Sequence, residues 1–267
     1  MALMQLKLPA SPPLWKEARL GLEAAALVRD PVYWGEGVEY GRDQPVLLIP
    51  GFLAGDGTLA VLTHWLRRSG HRTSKAGMGL NAGCSGVGLE CLEERLERLI
   101  EKAGKRAVVI GQSRGGSFAK VLACRRPELV SGIVTLGAPT LGPLSVHPLV
   151  RLQVVAVGAL GSLGAPGLFS KACLNGSCCS EFWTLHDGPL PDGVGFVSIY
   201  SRSDGIVDWR ACLDPAAERY VEVNASHLGM GLNAGVYCAI AEALADFGRR
   251  AEQGAPAAAV ERLREAA

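Results

Sequence analysis

The chain has 267 residues, of which 48% are hydrophobic, 20% are charged and 34 are glycine. This apolar content is enough for a sizeable core and excludes a disordered chain, while the lack of a Gly-X-Y period excludes collagen. The net charge is +1, with positive and negative residues mixed along the chain. That balance excludes the basic surface that nucleic-acid binding needs.

Residues 1–43 precede the first predicted strand, and we expect them to form an N-terminal extension that packs on the core. They show no basic stretch followed by an apolar one, so no secretory signal is visible. No segment of the sequence is long and apolar enough to predict a membrane span. A cytoplasmic location is therefore predicted by default.

From Gln44 onward, short apolar runs alternate with patterns of helical spacing. Strands are predicted at residues 46–49, 107–110, 133–136, 195–200 and 220–223. Helices are predicted at residues 58–68, 88–103, 118–124 and 233–249, with a tail helix over 251–267. This alternation predicts an α/β domain over residues 44–250, with a mostly parallel sheet and helices on both faces.

The segment 141–192 breaks the alternation and is rich in proline, glycine and apolar residues. A stretch of this length between two strands is typical of an insertion. Its apolar character favours a role as a lid that covers a candidate site. The alternative interpretation is a surface segment that packs on the core and has no gating role.

Eight cysteines are present, without a Cys-X-X-Cys pair or a Cys/His spacing typical of zinc sites. No metal site is therefore predicted. Cys124 and Cys238 fall within helical patterns and are expected to be buried thiols. Four further cysteines are candidates for a disulfide, because three of them crowd one loop segment. They are Cys173, Cys178, Cys179 and Cys212. A disulfide there would favour export over the default cytoplasmic location.

The heptapeptide Gly-Met-Gly-Leu-Asn-Ala-Gly occurs at residues 77–83 and again at 229–235. Its flanking residues differ, so the repeat does not indicate a duplicated domain. Two interpretations remain open: coincidence in a glycine-rich chain, or two loops that meet near one site.

The sequence Gly-Gln-Ser-Arg-Gly at 111–115 follows a predicted strand and precedes a helix. In that context, G-x-S-x-G is typical of a sharp turn that lifts the serine, here Ser113, above the sheet. A serine hydroxyl needs a base to become a nucleophile, and His227 lies in the loop after the last predicted strand. Four other histidines occur, but only His227 follows a strand that ends at the same sheet edge.

The base in turn needs an acid that fixes its tautomer. Asp204 directly follows the strand at 195–200 and is the predicted acid, with Asp208 as the alternative. Two backbone N–H groups are expected to bind a developing oxyanion. They belong to Phe52, after the first strand, and to Arg114, after the serine.

These motifs together resemble the bacterial lipase and esterase branch of the α/β-hydrolase superfamily. The resemblance covers approximately residues 44–248 and implies Ser113 as nucleophile, Asp204 as acid and His227 as base. It also implies Phe52 and Arg114 as oxyanion donors. Two departures occur: Pro50 stands where many lipases have histidine, and Arg114 would place a cation beside the nucleophile.

The resemblance predicts hydrolysis of esters with a hydrophobic group through an acyl-enzyme, without a metal or an organic cofactor. An acyltransferase or thioesterase with the same triad is one alternative. A non-catalytic binding protein of the same fold is another. The expected partner is thus a small-molecule ester, and the sequence predicts no particular oligomeric state.

Overall fold

Six parallel strands form one sheet at the centre of the fold. A computed structural model describes residues 13–174, 176 and 178–253. The strands are Pro45–Ile49 (β1), Arg72–Lys75 (β2), Ala107–Gln112 (β3), Val130–Leu136 (β4), Gly195–Tyr200 (β5) and Arg219–Glu222 (β6). Their order is β2-β1-β3-β4-β5-β6, and each neighbouring pair is parallel. The predicted α/β architecture is confirmed.

Helices cover both faces of the sheet. They are Leu20–Arg29 (α1), Ala60–Arg68 (α2), Ser85–Ala103 (α3), Arg114–Arg125 (α4), Pro148–Ser162 (α5), Lys171–Leu174 (α6), Ser180–Asp187 (α7) and Ala234–Gln253 (α8). Alternate residues of β1 point to opposite sides: Leu47 packs in the cluster with α3 and α4, and Leu48 in the cluster with α2 and α8. This explains why the central strands read as continuous apolar runs.

The edge strand β2 was not predicted. Its sequence, Arg-Thr-Ser-Lys, contains no apolar residue, and its side chains are exposed or half-buried. It pairs with β1 only, and charged or polar residues are well suited to a sheet edge because they discourage pairing with other chains. The structure thus adds one strand to the five that the apolar runs predict.

The insertion 141–192 is more regular than its composition suggests, because it contains α5, α6 and α7. Pro148 occupies the first position of α5, where the missing N–H costs nothing. Phe182 of α7 is buried and packs edge-on against Phe118 of α4, with ring centroids 5.1 Å apart. Residues 1–12 and the part of the predicted tail helix beyond Gln253 lie outside the described residues.

Candidate active site

Ser113 lies at a sharp turn between the end of β3 and the start of α4. Its backbone φ is +52°, an uncommon conformation for a residue with a side chain. Strand and helix approach so closely that a Cβ at Gly115 would lie 2.3 Å from the carbonyl oxygen of Ile49. A Cβ at Gly111 would lie 2.2 Å from the carbonyl oxygen of Gly115. The two glycines therefore permit the turn that puts Ser113 at the helix N-terminus.

Asp204 and His227 are in direct contact beside this turn. The Nδ1 atom of His227 lies 2.7 Å from Oδ2 of Asp204, and both residues are buried. The other carboxylate oxygen, Oδ1, accepts hydrogen bonds from the N–H groups of Ile206 at 2.8 Å and Val207 at 2.7 Å. The carboxylate is thus fixed on both oxygens, and it fixes the imidazole in turn.

Opposing influences act on the protonation of His227. Burial disfavours the imidazolium, but the negative charges of Asp204 and Glu17 outweigh that cost. The pKa of His227 is therefore raised above its ordinary value of 6.5. The raised pKa makes this imidazole a stronger base than a free one, which suits a group that takes and returns a proton.

The alternative acid, Asp208, has a different role. Its carboxylate accepts the N–H of Arg210 at 3.1 Å, which caps a short 3-10 helix at Trp209–Cys212. It also pairs with the exposed Arg210 side chain at 3.3 Å. Of the two aspartates, only Asp204 contacts His227.

A second histidine–aspartate contact occurs at the end of α7. His186 Nδ1 lies 2.9 Å from Oδ1 of Asp187, but that carboxylate is 79% exposed. The two residues are neighbours in the chain, and their contact lies on the insertion, not at the elbow. This pair lacks the buried carboxylate that a catalytic dyad needs.

Gln112 connects the serine turn to the histidine loop. Its side-chain amide donates a hydrogen bond of 2.9 Å to the backbone carbonyl of His227. On the other side of the serine, a Cβ at Gly51 would lie 3.2 Å from Cβ of Ser113. The Ser113 hydroxyl itself makes no hydrogen bond to any described residue. The structure therefore brings Ser113, His227 and the loop after β1 to one edge of the sheet.

The loop after β1 is held by Asn81. The side-chain amide of Asn81 donates to the carbonyl of Pro50 at 2.7 Å. The backbone carbonyl of Asn81 accepts the N–H of Leu53 at 3.2 Å. Among the described residues, the N–H of Phe52 donates no backbone hydrogen bond. Arg114 is the first residue of α4, where an N–H has no partner within the helix. Both N–H groups therefore remain available for an oxyanion.

The guanidinium of Arg114 does not act as a free cation next to the serine. It donates to the carbonyl of Asn81 at 3.1 Å, to its Oδ1 at 2.8 Å, to the carbonyl of Gly83 at 2.8 Å and to Oγ of Ser85 at 3.0 Å. Burial lowers the pKa of Arg114 to about 10, so it stays protonated at neutral pH. The charge expected beside the nucleophile is used to organise residues 81–85.

Solved structures of lipolytic enzymes share this architecture. The mature lipase BlEst2 of Bacillus licheniformis matches with a TM-score of 0.57 at 13% identity, over 76% of this chain and 92% of that one. A monoacylglycerol lipase of Paleococcus ferrophilus matches with 0.54 at 14%, over 79% and 97%. An alpha/beta superfamily hydrolase of Oenococcus oeni matches with 0.50 at 16%, over 78% and 93%. The chain has the α/β-hydrolase fold.

The fold predicted from the motifs is thereby confirmed. At these low identities the likeness establishes the fold alone, because one fold hosts many chemistries. No protein-family model matches the chain, and no curated protein matches it in sequence. Within the described part of the chain, no helix combines the length and apolarity that a membrane crossing requires.

Both copies of the repeated heptapeptide border the site of this α/β-hydrolase fold, in different conformations. The first, 77–83, is irregular and braces the loop after β1: a Cβ at Gly55 would lie 2.2 Å from the carbonyl oxygen of Gly79. The second, 229–235, begins two residues after His227 and starts within a 3-10 helix, Leu228–Leu232. The same seven residues thus support two different loops of one site.

Two glutamates of the N-terminal extension also belong to the site, and sequence reasoning missed both. Glu17 accepts the N–H groups of Gly205 at 2.8 Å, His227 at 3.0 Å and Leu228 at 2.9 Å. Glu23 is buried and accepts the N–H of Ser226 at 2.7 Å and its hydroxyl at 2.6 Å. These carboxylates bind the acid loop and the histidine loop together. No local pattern marks them, because their partners lie about 200 residues away in sequence.

An apolar cavity opens beside Ser113. Its walls come from the loop after β1, from α4 and from the insertion. The insertion supplies most of the apolar lining: Leu144, Val146, Val150, Val154, Phe169, Leu174, Phe182 and Trp183. The segment predicted to be lid-like thus borders the serine, and its chemistry suits an apolar group.

Proposed function

We propose that the protein is a serine hydrolase of carboxylic esters, with Ser113 as nucleophile and His227 as general base. Asp204 orients the base and stabilises its charged form. The observation that carries the proposal is the buried 2.7 Å contact between Asp204 and His227, joined through Gln112 to the turn that presents Ser113. With the Nδ1 proton held by Asp204, the Nε2 lone pair is free to accept the serine proton.

The proposed reaction passes through an acyl-enzyme. His227 takes the Ser113 proton as Oγ attacks the ester carbonyl, and the N–H groups of Phe52 and Arg114 donate to the oxyanion. His227 then protonates the departing alcohol, and water enters by the same steps to release the acid. The Ser113–His227 hydrogen bond is expected to close when substrate binds, as in many apo enzymes.

The cavity supports an ester with a hydrophobic acyl or alcohol group. Phe52 and Phe169 both line it and pack against each other, with ring centroids 6.1 Å apart. Burial of methylene groups there would contribute about 0.8 kcal/mol for each group. We expect kcat/KM for p-nitrophenyl esters to rise from acetate to medium acyl chains.

Covalent labelling by a fluorophosphonate tests the nucleophile. Wild-type protein should be labelled and should hydrolyse p-nitrophenyl esters, and Ser113→Ala should lose both properties because no other described serine occupies the elbow. Ser117→Ala is the matched control, since Ser117 lies one turn along α4 and is buried but does not occupy the turn. The control should still be labelled.

The outcomes separate the candidate functions. Labelling of Ser113→Ala, or a wild-type protein that is neither labelled nor active on any ester, would overturn the proposal and favour a binding protein. A competing alcohol added during turnover distinguishes hydrolysis from acyl transfer. Acid as the main product supports the hydrolase, and a new ester as the main product supports an acyltransferase.

A further inference from the structure

Four cysteine side chains converge where the insertion packs against the start of α3. The Sγ atoms of Cys84, Cys173, Cys178 and Cys179 all lie within 4.8 Å of one another. Cys84 Sγ is 3.7 Å from that of Cys178 and 3.5 Å from that of Cys179. Cys178 Sγ is 3.2 Å from that of Cys173 and 3.7 Å from that of Cys179.

These separations fit four ligands around one ion. Zinc–thiolate bonds of about 2.3 Å in a tetrahedron place neighbouring sulfurs about 3.8 Å apart. A disulfide would bring one pair to about 2.0 Å, and all eight cysteines are free in the structure. Cys212, which sequence reasoning grouped with the others, is buried elsewhere beside Tyr200 and Val207. Cys84 takes its place from a distant part of the chain.

We infer that Cys84, Cys173, Cys178 and Cys179 bind one Zn²⁺ ion in a tetrahedral four-thiolate site. Each thiol gives up its proton on binding, so the ion and its four ligands carry a net charge of −2. All four positions are filled by protein, which makes the site structural because no position is left for a reacting water.

Positive groups adjoin the cluster and offset that charge. The Arg114 guanidinium bonds to Gly83 and Ser85 on either side of Cys84, and it interacts electrostatically with Cys179, Cys84 and Cys173. Cys84 also occupies the N-cap position of α3, where the helix dipole favours negative charge. The guanidinium and the helix N-terminus thus offset part of the net charge of −2 that four thiolates leave around the ion.

The backbone around the cluster is closely fitted. A Cβ at Gly86 would lie 2.9 Å from the carbonyl oxygen of Cys178, so only glycine allows this approach of the insertion to α3. Nearby, the N–H of Phe169 donates to the carbonyl of Ala82 at 2.7 Å. The two segments that supply the ligands are therefore held together independently of the sulfurs.

The ion would fix one wall of the apolar cavity. Cys173 and its neighbour Leu174 line that cavity, as do Phe182 and Trp183 of α7. Without a crosslink, this part of the insertion is held near α3 and α4 by apolar packing, by the Phe169–Ala82 hydrogen bond and by a 3.7 Å ion pair between Arg125 and Glu181. Zinc would thus tie the insertion to the hydrolase core next to the serine.

Metal analysis of the full chain tests the site. Protein purified under reducing conditions, without chelators, and passed over a chelating resin should retain about one zinc per chain by plasma mass spectrometry. Cys84→Ser and Cys179→Ser should lose most of it. Cys91→Ser and Cys238→Ser are matched controls because both residues are exposed and outside the cluster. They should retain it. Because Cys238 is exposed, the prediction of a buried thiol there is wrong.

Cobalt substitution covers the case in which the ligand variants fail to fold. Wild-type protein stripped of metal and loaded with Co²⁺ alone should show the strong visible bands of a tetrahedral cobalt–thiolate centre. After denaturation in a chelator, it should also titrate as eight free thiols, the number in the chain.

In a second preparation made without a reductant, fewer than eight thiols with no bound metal would overturn the inference in favour of disulfides. Iron together with inorganic sulfide would overturn it in favour of a cluster. Full zinc occupancy in Cys84→Ser would show that any metal lies elsewhere. None of these measurements uses an ester substrate, so they stand or fall separately from the proposed function.

Discussion

The nucleophile half and the acid–base half of the candidate active site are held by different kinds of contact. Around Ser113, the decisive contacts are between backbone atoms: Gly111 and Gly115 let strand and helix approach within distances that exclude a side chain. Gly51 adds a close approach of the loop after β1, since a Cβ there would lie 3.2 Å from Cβ of Ser113. Around His227, the decisive contacts are made by carboxylates. Asp204 and Glu17 bind the imidazole and the backbone of its loop.

The difference shows that one site can combine two ways of fixing geometry. Steric exclusion fixes the nucleophile half, and its effect does not depend on pH or salt. Charged hydrogen bonds fix the acid–base half, so its geometry and its proton affinity are set by the same groups. Substitutions in the two halves should therefore fail in different ways.

The largest effect is expected at Asp204. Asp204→Asn keeps the shape but removes the charge that stabilises imidazolium and fixes its tautomer, so kcat should fall on the order of 10³–10⁴-fold. Asp208→Asn is the control and should stay within about tenfold of wild type, since Asp208 caps a 3-10 helix at the surface. Ester-hydrolysis kinetics measure both. The opposite ranking would make Asp208 the acid.

A second effect concerns the steric half. Gly115→Ala would place a methyl group 2.3 Å from the carbonyl oxygen of Ile49, so we expect a loss of about 1–3 kcal/mol in the free energy of unfolding. Gly57→Ala, in the loop after β1, meets no atom within 4 Å and should change it little. Urea denaturation compares the two. Equal stabilities would show that the elbow tolerates a side chain.

The acid–base half should also determine how kcat/KM depends on pH. Lowering the pH protonates His227, and an imidazolium cannot accept the Ser113 proton. Because the pKa of His227 is raised above 6.5, kcat/KM should fall on the acid side with a midpoint above that value. Initial rates across about pH 5–8 would test this. A midpoint below 6.5 would contradict the inferred effect of the carboxylates.

The smallest effect is expected at Glu17, a positioning residue that acts through His227. Glu17→Gln keeps one acceptor oxygen, which can still serve the N–H groups of Gly205 and His227, but it loses the acceptor of the Leu228 N–H and a negative charge. The fall of kcat/KM on the acid side should therefore move to lower pH by less than about one unit. Glu36→Gln, exposed on the same extension, should leave this fall at the same pH. If kcat/KM of Glu17→Gln falls at the same pH as in the wild type, Glu17 only holds the backbone of the loop and does not affect the proton affinity of His227.

The two halves also differ in how far the sequence could predict them. The Gly-Gln-Ser-Arg-Gly turn is local, so strand, serine and helix can be predicted together within a few residues. The His227–Asp204 contact follows from topology, because both loops leave the same edge of a parallel sheet. The catalytic roles of Ser113, Asp204, His227, Phe52 and Arg114 remain predictions.

Other features left no local signal. Glu17 lies in a short 3-10 helix, and its hydrogen-bond partners in the site lie 188 to 211 residues away in sequence. Cys84 is separated from Cys178 by 94 residues, so no ligand spacing could be recognised. Strand β2 lacks an apolar run because its position at the edge does not require one. Each depends on tertiary contacts that periodicity does not encode.

The distance between Glu17 and the loop it binds has a consequence for biosynthesis. Glu17 is synthesised 210 residues before His227, whose N–H donates to the Glu17 carboxylate in the folded protein. Contacts of such long sequence separation form late in folding, because the entropy of closing the chain must be overcome first. We therefore expect a nascent chain to assemble β1 to β4 and the elbow first, and to gain the proposed activity only after the loop that carries His227 has left the ribosome.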